Sequence, residues 1–109
     1  MNKRDESILE KIVEEISYLE SLLEGASEAE FLANETMERA AAMTSINVGE
    51  LAKRLSDEFF CLYPESELRI AAKTRDVYAH GYFTLSFAVV YKTAKEDYPR
   101  LKRWIEGVL

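Results

Sequence analysis

Phe83-Thr84-Leu85-Ser86-Phe87-Ala88-Val89-Val90-Tyr91-Lys92-Thr93 admits two readings, and the fold class turns on which one holds. Phe83, Leu85, Phe87 and Val89 alternate with Thr84, Ser86 and Ala88, as they would on a half-buried strand. A lone strand among helices leaves its backbone donors and acceptors without partners. Phe83, Phe87, Val90, Tyr91 and Ala94 instead make one stripe at helical spacing. The flanking sequence offers no second strand, so the stretch is read as a helix and the chain as all-α.

The flanks support that reading. Ile8, Ile12, Ile16, Leu19 and Leu23 fall at helical spacing from about Asp5 to Glu24, and Gly25 ends the run. A second helix is expected to start near Ser27. Met37, Ala41, Thr44, Val48, Leu51, Leu55 and Phe59 then step by three or four, which predicts one long helix to about Phe60. A kink is expected near Asn47 to Gly49, and the Ala40-Ala41-Ala42 run suits close helix approach. Tyr63-Pro64-Glu65-Ser66 interrupts the pattern. Ser66 is expected to cap a third helix, Glu67 to Ala79, that ends at Gly81. Asp97 is expected to cap a last helix with Pro99 in its first turn. Four or five helices in an up-and-down bundle follow, filling a single domain over residues 1–109.

Composition narrows the function classes. With 109 residues, 48% hydrophobic and 31% charged, the chain is of ordinary globular composition. No apolar run approaches the ~20 residues of a membrane span, and the N-terminus has no signal-peptide core. A cytoplasmic location is expected. One cysteine, Cys61, allows no internal disulfide and is expected in the core between Phe60 and Leu62. One cysteine and one histidine leave no zinc-type cluster, so neither metal nor cofactor is expected. The net charge of −6 divides into −9 over residues 1–65 and +3 over 66–109. Arg69, Lys73, Arg75, Arg100, Lys102 and Arg103 form either a local basic surface able to steer a phosphate backbone or ordinary solvated charges.

The chemistry concentrates at Arg75-Asp76-Val77-Tyr78-Ala79-His80-Gly81-Tyr82, which holds the only histidine. On a helix Asp76 and His80 are four apart, so the carboxylate is placed to orient the imidazole. Arg75, Tyr78 and Tyr82 make a second stripe if the helix runs that far. The bland reading is a polar helix end with a surface arginine.

The pattern Arg-x4-His-x-Tyr, with His-Gly-Tyr at residues 80–82, resembles the signature of the HepT-like branch of the HEPN superfamily, as does the Gly49-Glu50-Leu51-Ala52 run. Asp76 stands where that family more often has Asn. The resemblance covers essentially the whole chain and implies an all-helical homodimer with two motifs facing one cleft. It implies a metal-independent endoribonuclease toxin with RNA as substrate, Arg75 and His80 as catalytic residues and Asp76 orienting. It further implies a nucleotidyltransferase antitoxin that transfers AMP to Tyr82. The alternatives are a non-catalytic helical partner of such a transferase, or a bundle whose motif only seals a dimer interface.

Overall fold

A computed structural model describes residues 1–109 as all-helical, with no strand. The α-helices are α1 (Lys3–Leu22), α2 (Glu28–Leu32), α3 (Glu35–Lys53), α4 (Asp57–Leu62), α5 (Leu68–His80), α6 (Phe87–Lys92) and α7 (Tyr98–Val108). A 3₁₀ turn covers Tyr82–Thr84, and a π-helical segment, Thr93–Asp97, joins α6 to α7 without a break. Four long rods therefore run up and down: α1, α3, α5 and the α6–π–α7 rod. The shortest dimension, 19 Å, is that of two helix layers.

The expected long helix from Ser27 to Phe60 is three helices. Ser27 and Glu30 form a reciprocal capping box for α2. Asn34 Oδ1 accepts from Met37 N at 3.0 Å and starts α3 afresh. Ser56 Oγ accepts from Phe59 N at 3.1 Å and starts α4. Each side-chain oxygen satisfies a helix-start donor locally and so favours a new helix over continuation. The apolar rhythm crosses both breaks because Leu55 and Phe59 are buried although only Phe59 lies within a helix. Ser56 is itself fixed by Asp5, 1% exposed, which accepts from Ser56 N at 3.0 Å and Ser56 Oγ at 2.6 Å. Hydrogen bonds to a charged group contribute about 1.5–3 kcal/mol, enough to hold the start of α1 to the start of α4.

α3 runs through Asn47 to Gly49 without a break. Ala42, Ser45, Gly49 and Ala52 present a row of small, buried positions along α3. The antiparallel α5 lies so close there that a Cβ on Gly49 would collide with the Arg75 Cβ and sit 2.7 Å from the Ala71 carbonyl oxygen. Gly49 is thus needed for lack of volume, not for flexibility.

The decisive stretch is helical from Phe87 onward. Val90 and Ala94 are buried, and Phe87 and Tyr91 pack against the core. Phe83 is the exception: it lies on the 3₁₀ turn and is 96% exposed. Asp97 does not cap a new helix. It has α-helical angles inside a continuous rod and makes no capping bond. Pro99 removes one N–H and crowds the carbonyl of Lys95, and the wider π turn lies at that point. Ser66 is not the cap: Glu67 holds the N-cap position of α5 and makes no side-chain capping bond, and Ser66 Oγ accepts from Leu68 N at 3.1 Å from one residue upstream. Cys61 is exposed, because Phe59 takes the inward direction on the short α4. No helix is long and apolar enough to cross a membrane.

Candidate active site

The close approach of α5 to α3 places the motif along an open seam. Arg75 projects from α5 next to Gly49 and meets Glu50 and Asp76. Its Nε lies 2.5 Å from Glu50 Oε1, but the N–H direction misses the oxygen, so this contact is Coulombic. Its Nη1 donates to Asp76 Oδ1 at 3.2 Å, and Lys53 Nζ donates to the same oxygen at 2.6 Å. Two carboxylates and two cations thus alternate as Glu50–Arg75–Asp76–Lys53. Lys53 first, and Arg75 second, hold the Asp76 carboxyl below its ordinary range. The guanidinium keeps Nη2 uncommitted, so one edge remains for a ligand.

This network changes the expected part of Asp76. Its carboxylate turns toward α3 and is taken up by Lys53 and Arg75, and it does not bond His80. A full charge across the seam outcompetes an imidazole one turn along the same helix. His80 is the last residue of α5 and is exposed. Tyr78 also departs from the expected stripe. It is buried, and burial raises its phenol above the ordinary range against the opposing pull of Thr93 and Ser45. The helix ends at His80, so Tyr82 reaches the seam from the 3₁₀ turn rather than along α5. Tyr82 is half-buried, packs on Phe87 at 5.6 Å between ring centroids, and lies under the Arg39 guanidinium at 5.6 Å.

The six cations of the expected basic surface are mostly neutralised or dispersed. Arg100 pairs with Glu67 and Asp97, Lys102 with Glu20, and Arg69 lies over the Phe60 ring. No cluster of three or more His, Cys, Asp or Glu is arranged to hold a metal ion. Along α5 and the turn after it lie a guanidinium fixed on one edge and free on another, an exposed imidazole, and a phenol beside a second guanidinium, and no contact joins His80 to Arg75 or Tyr82. That set can bind a phosphate, stabilise added charge on it and move protons.

Sequence reasoning did not single out Glu50, Lys53 or Arg39 as site residues. The signal was present: Arg39, Met43, Ile46, Glu50 and Lys53 fall on one edge of α3, with Gly49 marking where a partner helix must come close.

Comparison with known proteins agrees on one family. The sequence model described as "Ribonuclease HepT-like" matches residues 12–108. A protein of Thermococcus cleftensis named as a probable ribonuclease HepT is 32% identical over 102 residues, covering 94% of this chain and 93% of its own length. A protein of Caldanaerobacter subterraneus subsp. tengcongensis, provisionally named an RNase, is 26% identical over 101 residues, covering 93% of this chain and 90% of its own. One from Methanocaldococcus jannaschii, named in the same provisional way, is 26% identical over 110 residues, 100% of this chain and 91% of its own. No solved structure matches the chain.

Proposed function

Because this chain belongs to the HepT-like ribonuclease family, we propose that it is a metal-independent endoribonuclease acting on RNA through Arg75 and His80. The observation that carries the reading is the seam itself: an exposed imidazole at the end of the helix that holds a half-free guanidinium. RNA supplies its own nucleophile. The 2′-hydroxyl loses its proton to a base and attacks phosphorus, the bond to the 5′-oxygen breaks, and an acid returns a proton to that oxygen. A 2′,3′-cyclic phosphate and a 5′-hydroxyl result. Arg75 binds the scissile phosphate through its open edge and stabilises the charge that builds on it. His80 transfers protons, and a homodimer supplies a second His80 so that base and acid are separate groups. Asp76 and Glu50 act as positioning residues that fix the guanidinium.

The reading extends to control. A nucleotidyltransferase antitoxin would transfer AMP from ATP to the Tyr82 oxygen, releasing pyrophosphate. The added phosphodiester would lie beside Arg39, whose guanidinium already covers the ring. The bulk and negative charge would close the seam to RNA.

Removing a proton-transfer group costs about 100- to 10,000-fold in rate. His80→Ala is therefore expected to lose cleavage by that factor, with an unchanged thermal melt because the ring is exposed. Unchanged cleavage with the same ends would sink the assignment. Incubation with the transferase and ATP, followed by peptide mass spectrometry, is expected to find AMP on Tyr82 and not on the buried Tyr78. Addition elsewhere, with Tyr82 unmodified, would remove the tyrosine from the scheme.

A further inference from the structure

Phe83 is 96% exposed, more than any other large apolar side chain in the protein. One neighbour touches the ring and a hydrogen-bonded turn carries its backbone. Its ring meets Tyr82 edge-on at 5.5 Å, and Tyr82 is wedged between Phe87 and the Arg39 guanidinium. Thr84 closes the turn beneath it, with Oγ1 donating to the Gly81 carbonyl at 2.8 Å and its backbone N–H to the same oxygen at 2.9 Å. The ring is thus a mounted platform with its face in solvent. It follows His80 by three residues, which puts the two Cα atoms within about 11 Å of each other.

A protein-docking face needs a contiguous apolar area of a few hundred Å². One phenyl ring supplies about 150–250 Å² at most, and here its chain neighbours Thr84 and Ser86 are polar and exposed. An aromatic face exposed beside a tyrosine that lies under a guanidinium suits a nucleobase better. Arg39, whose Nε and Nη2 donate to Glu35 Oε1 at 3.0 and 2.7 Å and whose Nη1 has no such bond, adds a second guanidinium near the platform. It lies eleven residues before Glu50 on α3, about 16 Å of helix rise from the Arg75 end, so it would meet a phosphate other than the scissile one.

We infer that Phe83 is a base-stacking platform for single-stranded RNA, binding a base next to the cleavage point, with Arg39 on that nucleotide's phosphate. The inference rests on the RNA substrate of the proposed function but concerns binding, which is measured apart from cleavage. The probe is a short single-stranded RNA with a 2′-deoxy nucleotide at the cut, which binds but cannot be cut, followed by fluorescence anisotropy. Loss of a base–aromatic stack is expected to weaken binding about tenfold in Phe83→Ala, with the melt unchanged. Phe83→Trp is expected to keep binding, and its indole emission to be quenched when the RNA is added. Cleavable substrate would show the Phe83→Ala loss in KM rather than kcat.

Equal RNA binding by parent and Phe83→Ala overturns the inference, whether or not the parent cleaves RNA. So does a loss of dimer or transferase binding in Phe83→Ala without loss of RNA binding, which would make the ring a protein contact. Weakened binding in Phe83→Ala with a parent that never cleaves would keep the platform and overturn the proposed catalysis.

Discussion

Burial holds the Tyr78 and Tyr98 phenols protonated above the ordinary tyrosine range. The unfolded chain ionises both near pH 10, before the folded chain does. Stability is therefore complete below pH 10 and falls as pH rises through the range where only the folded form keeps its protons. Urea midpoints measured from pH 9 to 11 are expected to fall less steeply in Tyr78→Phe, and to be nearly flat in Tyr78→Phe with Tyr98→Phe. A slope unchanged in the double variant would assign the alkaline loss to other groups. Tyr78 also shows what residue-level reading misses. Its spacing from Arg75 and Tyr82 matched a functional stripe, but α5 turns that position into the core, and spacing alone does not say which stripe faces inward. Asp76 was misread for a related reason. Its partner Lys53 is 23 residues away in sequence, beyond any local pattern, so a same-helix histidine was the only partner visible.

Gly49 sets the spacing between the two helices that build the seam. A Cβ there would collide with the Arg75 Cβ and the Ala71 backbone, and backbone cannot move aside as a flexible side chain can. Gly49→Ala would ordinarily stabilise a helix interior by roughly 1 kcal/mol. Here overpacking is expected to reverse the sign, with a net loss of about 1–3 kcal/mol by urea denaturation, together with reduced cleavage as Arg75 shifts. A variant as stable as the parent would show that α5 can retreat freely. At this scale the sequence was informative about helix type and poor about helix ends. The four rods follow from apolar spacing of three and four. The breaks at Asn34 and Ser56 were hidden because apolar positions on either side keep phase, and because the oxygens that cap there belong to residues equally common on exposed helix faces. Phe83 stands outside its expected stripe since the turn at Gly81 delays the next helix to Phe87.

The whole molecule carries a net charge of −6, yet its proposed ligand is a polyanion. All-helical architecture was legible in apolar spacing, and the family in the motif. The charge arrangement was not, since ion pairs such as Arg100–Glu67 and Lys102–Glu20 join residues far apart in the chain. The alternating network Glu50–Arg75–Asp76–Lys53 has a thermodynamic corollary. Affinity for nucleic acid usually drops steeply with salt, because each neutralised phosphate sets dissolved cations free, at a slope of about −0.7 per contact for single strands. An RNA phosphate reaches Arg75 at its open edge while Glu50 stays on the Nε edge, so the guanidinium arrives already balanced and sets few dissolved cations free. The ionic gain at that contact then largely cancels. Association is expected to depend only weakly on potassium chloride, and Glu50→Gln, which deletes the internal counter-anion, to steepen the log–log slope by about 0.7. An identical slope in parent and variant would show that Glu50 does not offset the charge that Arg75 presents to RNA. In effect the protein carries its own counterions, and keeps them in place while the substrate binds.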